Sequence, residues 1–234
     1  MWVNTQSDII SKVLSPAVRL FLRSSVEQIE DLDVQIQGHD RQILRGYIPG
    51  VRLGVESAIY QGLHLGRVQL QGENIRLNIG QVLRGKPLQL LEPIRVSGEV
   101  KIDETKLNDS IGSPLLKGAL TDLLILFLQE NGVADARDRV KNQKPRWTKA
   151  TLNDGYFSVS GILENGSSIA LAADLQLENS RKLTVIPRYL EGLPERSSIA
   201  LCPFTLDLGT DVEIEDFRLI DRTFFCQGRL SIRP

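Results

Sequence analysis

The stretch from Ser113 to Gly132 limits what this chain can become, because it predicts a helix with too little polar surface to stand in water. Ser113 before Pro114 is a helix start: a hydroxyl that accepts from a first-turn N–H, then a ring whose φ is already helical. Asn131-Gly132 is the matching stop. Between them Leu115, Leu116, Ala119, Leu120, Leu123, Leu124 and Phe127 recur at helical spacing, opposite Lys117, Gly118, Thr121 and Asp122. In the last turns Ile125, Leu126 and Leu128 take over the polar side. Each large apolar side chain gains roughly 1.5–3 kcal/mol on burial, so this end must be enclosed. The run is shorter than the ~20 apolar residues of a bilayer span.

The remaining chain reads as the material that encloses it. Ser7 to Glu30 is helical in pattern, with Pro16 starting or kinking a turn. Alternation then takes over: Val34 and Ile36; Val51, Leu53 and Val55; Val68 and Leu70; and the run from Ile94 to Ile102 with Arg95, Ser97, Glu99 and Lys101 between. Short helical turns are expected at 40–45, 81–84 and 103–111. Ala134 to Lys149 is charged and is expected to be a surface connection. Strands resume at Phe157, Val159 and Leu163, then from Ile169 to Leu177, at Leu183 and Val185, and from Val212 to Ile232. Gly72, Gly98, Gly161 and Gly228 each stand on the apolar side of such a strand, where glycine marks a bend, a bulge or a close backbone approach. These positions are expected to curve the strands around the central helix.

Chemistry-bearing patterns are missing. The two histidines, His39 and His64, have no nucleophile motif beside them. His39, His64, Cys202 and Cys226 are too scattered to ligate a metal, so neither metal nor cofactor is expected. Net charge is −1 and aromatics are few, which excludes a nucleic-acid surface. No secretory signal or spanning helix is apparent, so a cytoplasmic address, or one peripheral to the membrane on that side, is expected. Arg41, Arg45, Arg76, Arg84, Lys86 and Arg95 form one loose basic grouping in the first half.

The segments RQILRGYIPGV, IYQGLHL and GENIRLNIGQVLRGKPLQLLEPIRVSGEV, with the later FTLDLGTDVEIEDFRL and CQGRLSI, resemble the LmeA-like family in its cyanobacterial type. The resemblance covers most of the chain. It implies phospholipid binding and a fold similar to tubular lipid-binding proteins, a rolled antiparallel sheet holding helices and a greasy cavity. It brings no catalytic residue with it.

Residues and resemblance together lead to one α+β domain over 1–234, whose halves 1–103 and 104–234 share the order helix, then antiparallel strands. A strongly curved antiparallel sheet is expected to wrap two long helices, Ser7–Glu30 and Pro114–Glu130. The expected function is non-enzymatic binding, with possible transfer, of a phospholipid or other amphipathic lipid. The alternative is a protein-interaction module that uses the same apolar groove in a membrane-associated assembly. The expected cavity is lined by Leu116, Leu120, Leu124 and Phe127 with Val55, Ile94 and Val159 from strands, and holds about 300 Å3 or more. The first helix is expected to cover it with Phe21 and Leu22. Arg19 and Arg23, joined by Lys12, Arg41 and Arg45, would meet headgroups or a membrane surface. Sequence leaves the oligomeric state open.

Overall fold

A computed structural model describes residues 14–192 and 201–234. The expected helix start at Ser7 and the basic Lys12 lie outside the described residues.

The chain opens with α1 (Ser15–Ser25), β1 (Gln28–Glu30), β2 (Asp33–Gln37) and α2 (Asp40–Leu44). Then come β3 (Tyr47–Val55), β4 (Ser57–Tyr60), β5 (Leu63–Leu65), β6 (Val68–Arg76), α3 (Ile79–Val82) and β7 (Ile94–Asp103). The middle is helical: α4 (Glu104–Asp109), α5 (Pro114–Glu130) and α6 (Ala136–Gln143). It ends in β8 (Arg146–Asn153), β9 (Tyr156–Ile162), β10 (Ser168–Asn179), β11 (Lys182–Glu191), β12 (Phe204–Asp207), β13 (Val212–Ile220) and β14 (Thr223–Ile232).

This is an α+β fold built on antiparallel sheets, and among the described residues it corrects the expectation of one sheet rolled around two long helices. Three open sheets form instead: β1-β4-β5, β12-β11-β10-β9-β8 and β13-β14-β7-β6-β3-β2. The six-stranded sheet draws on both halves of the chain, because β14 pairs with β7 from Thr223↔Asp103 to Ile232↔Ile94.

Two apolar clusters result. The larger joins α5 and α6 to the inner face of the five-stranded sheet through Leu120, Leu124, Phe127, Trp147, Val159 and Leu171. The smaller sets Leu14 and Val18 beside Val34, Ile43, Ile48, Ile75 and Ile79. Helix α5 begins as its sequence predicts, with the Ser113 Oγ accepting from Leu116 N at 3.2 Å.

The segment 134–149 is corrected from surface connection to helix and edge strand. Helix α6 lies against α5 and buries Ala136 and Val140 in the cluster that holds Ile125 and Leu128. The missing polar side of α5 is therefore met by protein at those two positions, while Leu126 stays exposed. The first helix is corrected too. It stops at Ser25, where the Ser24 and Ser25 hydroxyls both donate to Phe21 O, at 2.7 and 2.9 Å. Such side-chain bonds compete with the helical ladder. Val26 is extended, and Gln28–Glu30 pairs with β4.

The strand glycines mark close approaches between strands, and neighbouring strands rather than the central helix occupy the space. A Cβ on Gly161 would sit 2.5 Å from Arg146 O, and one on Gly228 would sit 2.3 Å from Glu213 O. Both positions adjoin register shifts, at Trp147/Lys149 and Ile214/Asp216. A Cβ on Gly98 would meet Leu70 Cδ2 at 2.5 Å. Gly98→Val and Gly161→Val are each expected to cost about 1–3 kcal/mol in a thermal melt. Gly118→Ala is the opposite case, a mid-helix glycine with nothing within 4 Å of the added methyl. It is expected to gain about 0.5–1 kcal/mol.

Candidate functional site

Where α5 crosses the five-stranded sheet, its N-terminal half does not close down. A partly open pocket of about 270 Å3 remains, with almost wholly apolar walls. Helix α5 supplies Leu116, Ala119, Leu120 and Leu123; β8 and β9 supply Ala150, Leu152, Phe157 and Val159; Leu107, Leu175, Leu183, Leu206, Leu219 and Phe224 complete the wall. The volume sits just below the roughly 300–1,000 Å3 usual for ligand pockets, space for a chain rather than for a whole two-chain lipid.

Helix α4 fixes one side of this pocket. Asn108 bonds the open edge of β8 as a strand would, donating from Nδ2 to Ala150 O and accepting at Oδ1 from Ala150 N, both at 2.8 Å. One turn earlier the buried Glu104 accepts from Leu152 N at 2.9 Å and pairs with Arg222. The edge of β8 is thereby covered, and Leu107 is held into the pocket wall. The Arg222 hydrogen bond is the main reason that the Glu104 carboxyl titrates below its ordinary range, against the opposing effect of burial.

A carboxyl depressed in this way stabilises the fold above its unfolded pKa of about 4.3, and the contribution is lost as pH falls through the lower folded value. Glu104→Gln is therefore expected to weaken the fold at neutral pH by about 1–3 kcal/mol. It should also flatten the acid limb of a stability-versus-pH curve below about pH 5.

A second apolar surface starts at the same pocket. Phe224, a wall residue, stacks edge-on against Phe217 at 5.3 Å. Because β14 and β7 pair without a register shift, alternate residues continue on one face: Phe224 with Ile102, Cys226 with Val100, Gly228 with Gly98, Leu230 with Val96 and Ile232 with Ile94. Strands β6 and β3 extend these rows through Val68 and Val55, then Leu70 and Leu53. Val55, Val68, Leu70, Val100 and Cys226 are half-buried and belong to neither apolar cluster. The result is a half-buried apolar strip, the trough, between the two cores. From Phe224 to Ile232 it spans about 26 Å at ~3.3 Å per residue, more than half the ~30 Å hydrocarbon core of a bilayer. Its far end is flanked by α1, through Leu22 and the buried Leu14 and Val18.

The other face of this sheet holds an open hollow of about 460 Å3, lined by Gln35, Arg52, Gln69, Gln71, Ser97 and Glu99 among others. Its side chains bond one another, Arg52 Nε to Gln71 Oε1 at 3.3 Å and Gln71 Nε2 to Glu73 Oε1 at 3.0 Å. It is larger than the apolar pocket, and apart from Leu53, Leu70 and three glycines its wall is polar.

The residues singled out by sequence fall in several places. Leu116, Leu120 and Val159 line the pocket together. Leu124 and Phe127 are closed into the core behind it. Val55 and Ile94 stand on the trough. Leu22 packs on the smaller cluster, whereas Phe21 is 48 % exposed. Arg19 is tied by Nη1 to Leu32 O at 2.9 Å, and Arg23 lies in the last turn of α1. Arg41 and Arg45 belong to α2 and its C-terminal cap. Leu107, Leu152, Phe157, Leu175, Leu183, Leu206, Leu219 and Phe224 were not foreseen as one wall. Strand alternation marks all but Leu107, on α4, as inward-facing, but no pattern says that these strands meet.

The histidines have local partners. His39 is the N-cap of α2, and its backbone N–H donates to Gln42 Oε1 at 3.2 Å. His64 is half-buried in β5, with its N–H on Ser110 Oγ at 2.7 Å. Among the described residues no group of three or more His, Cys, Asp or Glu is placed to hold a metal, and no helix is long and apolar enough to cross a membrane.

A family model described as LmeA-like phospholipid-binding matches residues 5–229. Comparison with curated proteins and with solved structures gives no match.

Proposed function

Since this chain belongs to the LmeA-like phospholipid-binding family, we propose that it holds one acyl chain in the pocket under α5 and lays the rest of the lipid along the trough. The observation that supports this most is the row Val55, Val68, Val100 and Cys226, a half-buried apolar row outside both cores. Burying such surface at about 25 cal/mol per Å2 favours an apolar guest over water. Leu116, Leu120 and Val159 contact its tail and Val55 and Ile94 its middle. Leu124 and Phe127 support the wall from behind.

Helix α1 acts as a cover, with Leu22 inward and Phe21 at its rim. Arg19, Arg23, Arg41 and Arg45 stand where a headgroup leaves the trough. The chain works as one unit, because the six-stranded sheet is assembled from both halves. Binding, with transfer between membranes, is its activity, and no covalent chemistry is involved.

Cys226 reports on occupancy. Burial, and then the charge of Asp216, push its thiol above the usual range, so it reacts slowly but measurably at mildly alkaline pH. In a Cys202→Ser background, N-ethylmaleimide is expected to label Cys226 several-fold faster after lipid extraction than before, with the circular dichroism spectrum retained. Equal rates before and after extraction would contradict a lipid in the trough.

A further inference from the structure

Exposed leucines and unpaired cations gather at one end of the six-stranded sheet. Strand β2 leads into α2 there, β6 ends at Arg76, and α3 with the following loop leads into β7. Leu44, Leu83 and Leu91 are 49 %, 49 % and 56 % exposed, although Ile43, Ile79 and Leu90 beside them belong to the core. The outward set is held in place. Buried Asn78 donates from Nδ2 to Pro87 O at 2.9 Å and accepts from Gln89 N at 2.8 Å, and Leu91 N donates to Arg76 O at 2.8 Å.

Charge follows the same geography. Residues 40–47 and 76–92 carry five Lys or Arg against Asp40 and Glu92, a net +3 in a chain of net −1. Elsewhere cations face acids, as in Arg67–Glu56, Arg181–Glu213, Arg188–Asp174 and Arg229–Glu215. Among the described residues Arg41, Arg45, Arg84 and Lys86 have no such partner, and Arg76 lies over the Tyr47 ring at 4.9 Å. The apolar strip ends on this side too, where Leu230 and Ile232 are exposed and Ile232 pairs with Ile94.

We propose that this end docks on an anionic lipid surface, with Leu44, Leu83 and Leu91 entering the interface and Arg41, Arg45, Arg84 and Lys86 facing its headgroups. The leucines come from separate segments, and a fluid bilayer accommodates them without shape complementarity, while the net positive charge selects anionic lipid. The proposal rests on the lipid-binding reading and adds which end of the trough faces the membrane.

The test is flotation of the full chain with phosphatidylcholine vesicles, with and without phosphatidylglycerol. Binding is expected only with phosphatidylglycerol, weakening as salt rises. Arg84→Glu/Lys86→Glu and Leu83→Asp/Leu91→Asp should each reduce the floated fraction about tenfold without lowering copurified lipid. Wild-type protein that stays off anionic vesicles would overturn the proposal. So would flotation that survives both variants yet is lost in Phe21→Asp, since contact would then lie on α1. Flotation that behaves as expected in protein carrying no copurified lipid would support docking and count against the lipid-binding reading instead.

Discussion

Phe127→Ala is expected to cost about 3–5 kcal/mol, the range for emptying an aromatic site in a closed core. Phe127 is fully buried, and its ring meets Phe204 edge-on at 6.4 Å and 79°, a geometry worth about 0.5–1.5 kcal/mol beyond area alone. The cavity left behind is walled by the five-stranded sheet, whose hydrogen-bonded strands cannot collapse into it. For a chain of this size the loss corresponds to a fall in Tm of roughly 6–20 °C, measured by calorimetry. Leu126→Ala, one residue earlier on the exposed side of α5, is the control and should shift stability by less than about 1 kcal/mol. Equal effects at the two positions would mean that α5 is not seated as described.

Ala119→Trp is expected to have the opposite profile, a large loss of bound lipid with little change in stability. Ala119 lines the pocket yet is itself exposed, so a larger side chain there meets the pocket mouth rather than packed core. Tryptophan costs a helix only a fraction of 1 kcal/mol relative to alanine. Its indole would fill a substantial part of the 270 Å3. Copurified lipid, quantified after organic extraction, should fall at least about tenfold, which needs only ~1.4 kcal/mol of lost affinity. Lipid retained at the wild-type level would show that the pocket under α5 is not where the chain resides.

Local signals in the sequence carried well where one contact decides the structure. The start of α5 is legible from Ser113-Pro114, and β7 from its strict alternation, because cap and pleat are short-range properties. Helix α6 was illegible for a matching reason. Its only buried residues are Ala136 and Val140, too few to outweigh the charges around them. Gln28–Glu30 read as helix because Val26 and Ile29 continue the spacing of Leu22, and only pairing with β4 makes it a strand.

The site was half legible. Leu116 and Leu120 share a helical stripe, but the motive for a cavity, the apolar last turns, pointed to the end of α5 that α6 covers. The pocket lies at the other end, where no element among the described residues fills the space. The exposure of Leu44, Leu83 and Leu91 could not be read at all. Adjacent leucines such as Leu90 and Leu91 look identical in sequence, and only the fixed loop turns one inward and the other out.

The most direct measurement of the central claim is native mass spectrometry of the purified full chain before and after organic extraction. The account predicts a mass above that of the polypeptide by one phospholipid, lost on extraction and restored after incubation with phospholipid vesicles, and reduced in Ala119→Trp. The bare polypeptide mass in every sample, with no adduct regained from vesicles, would contradict it.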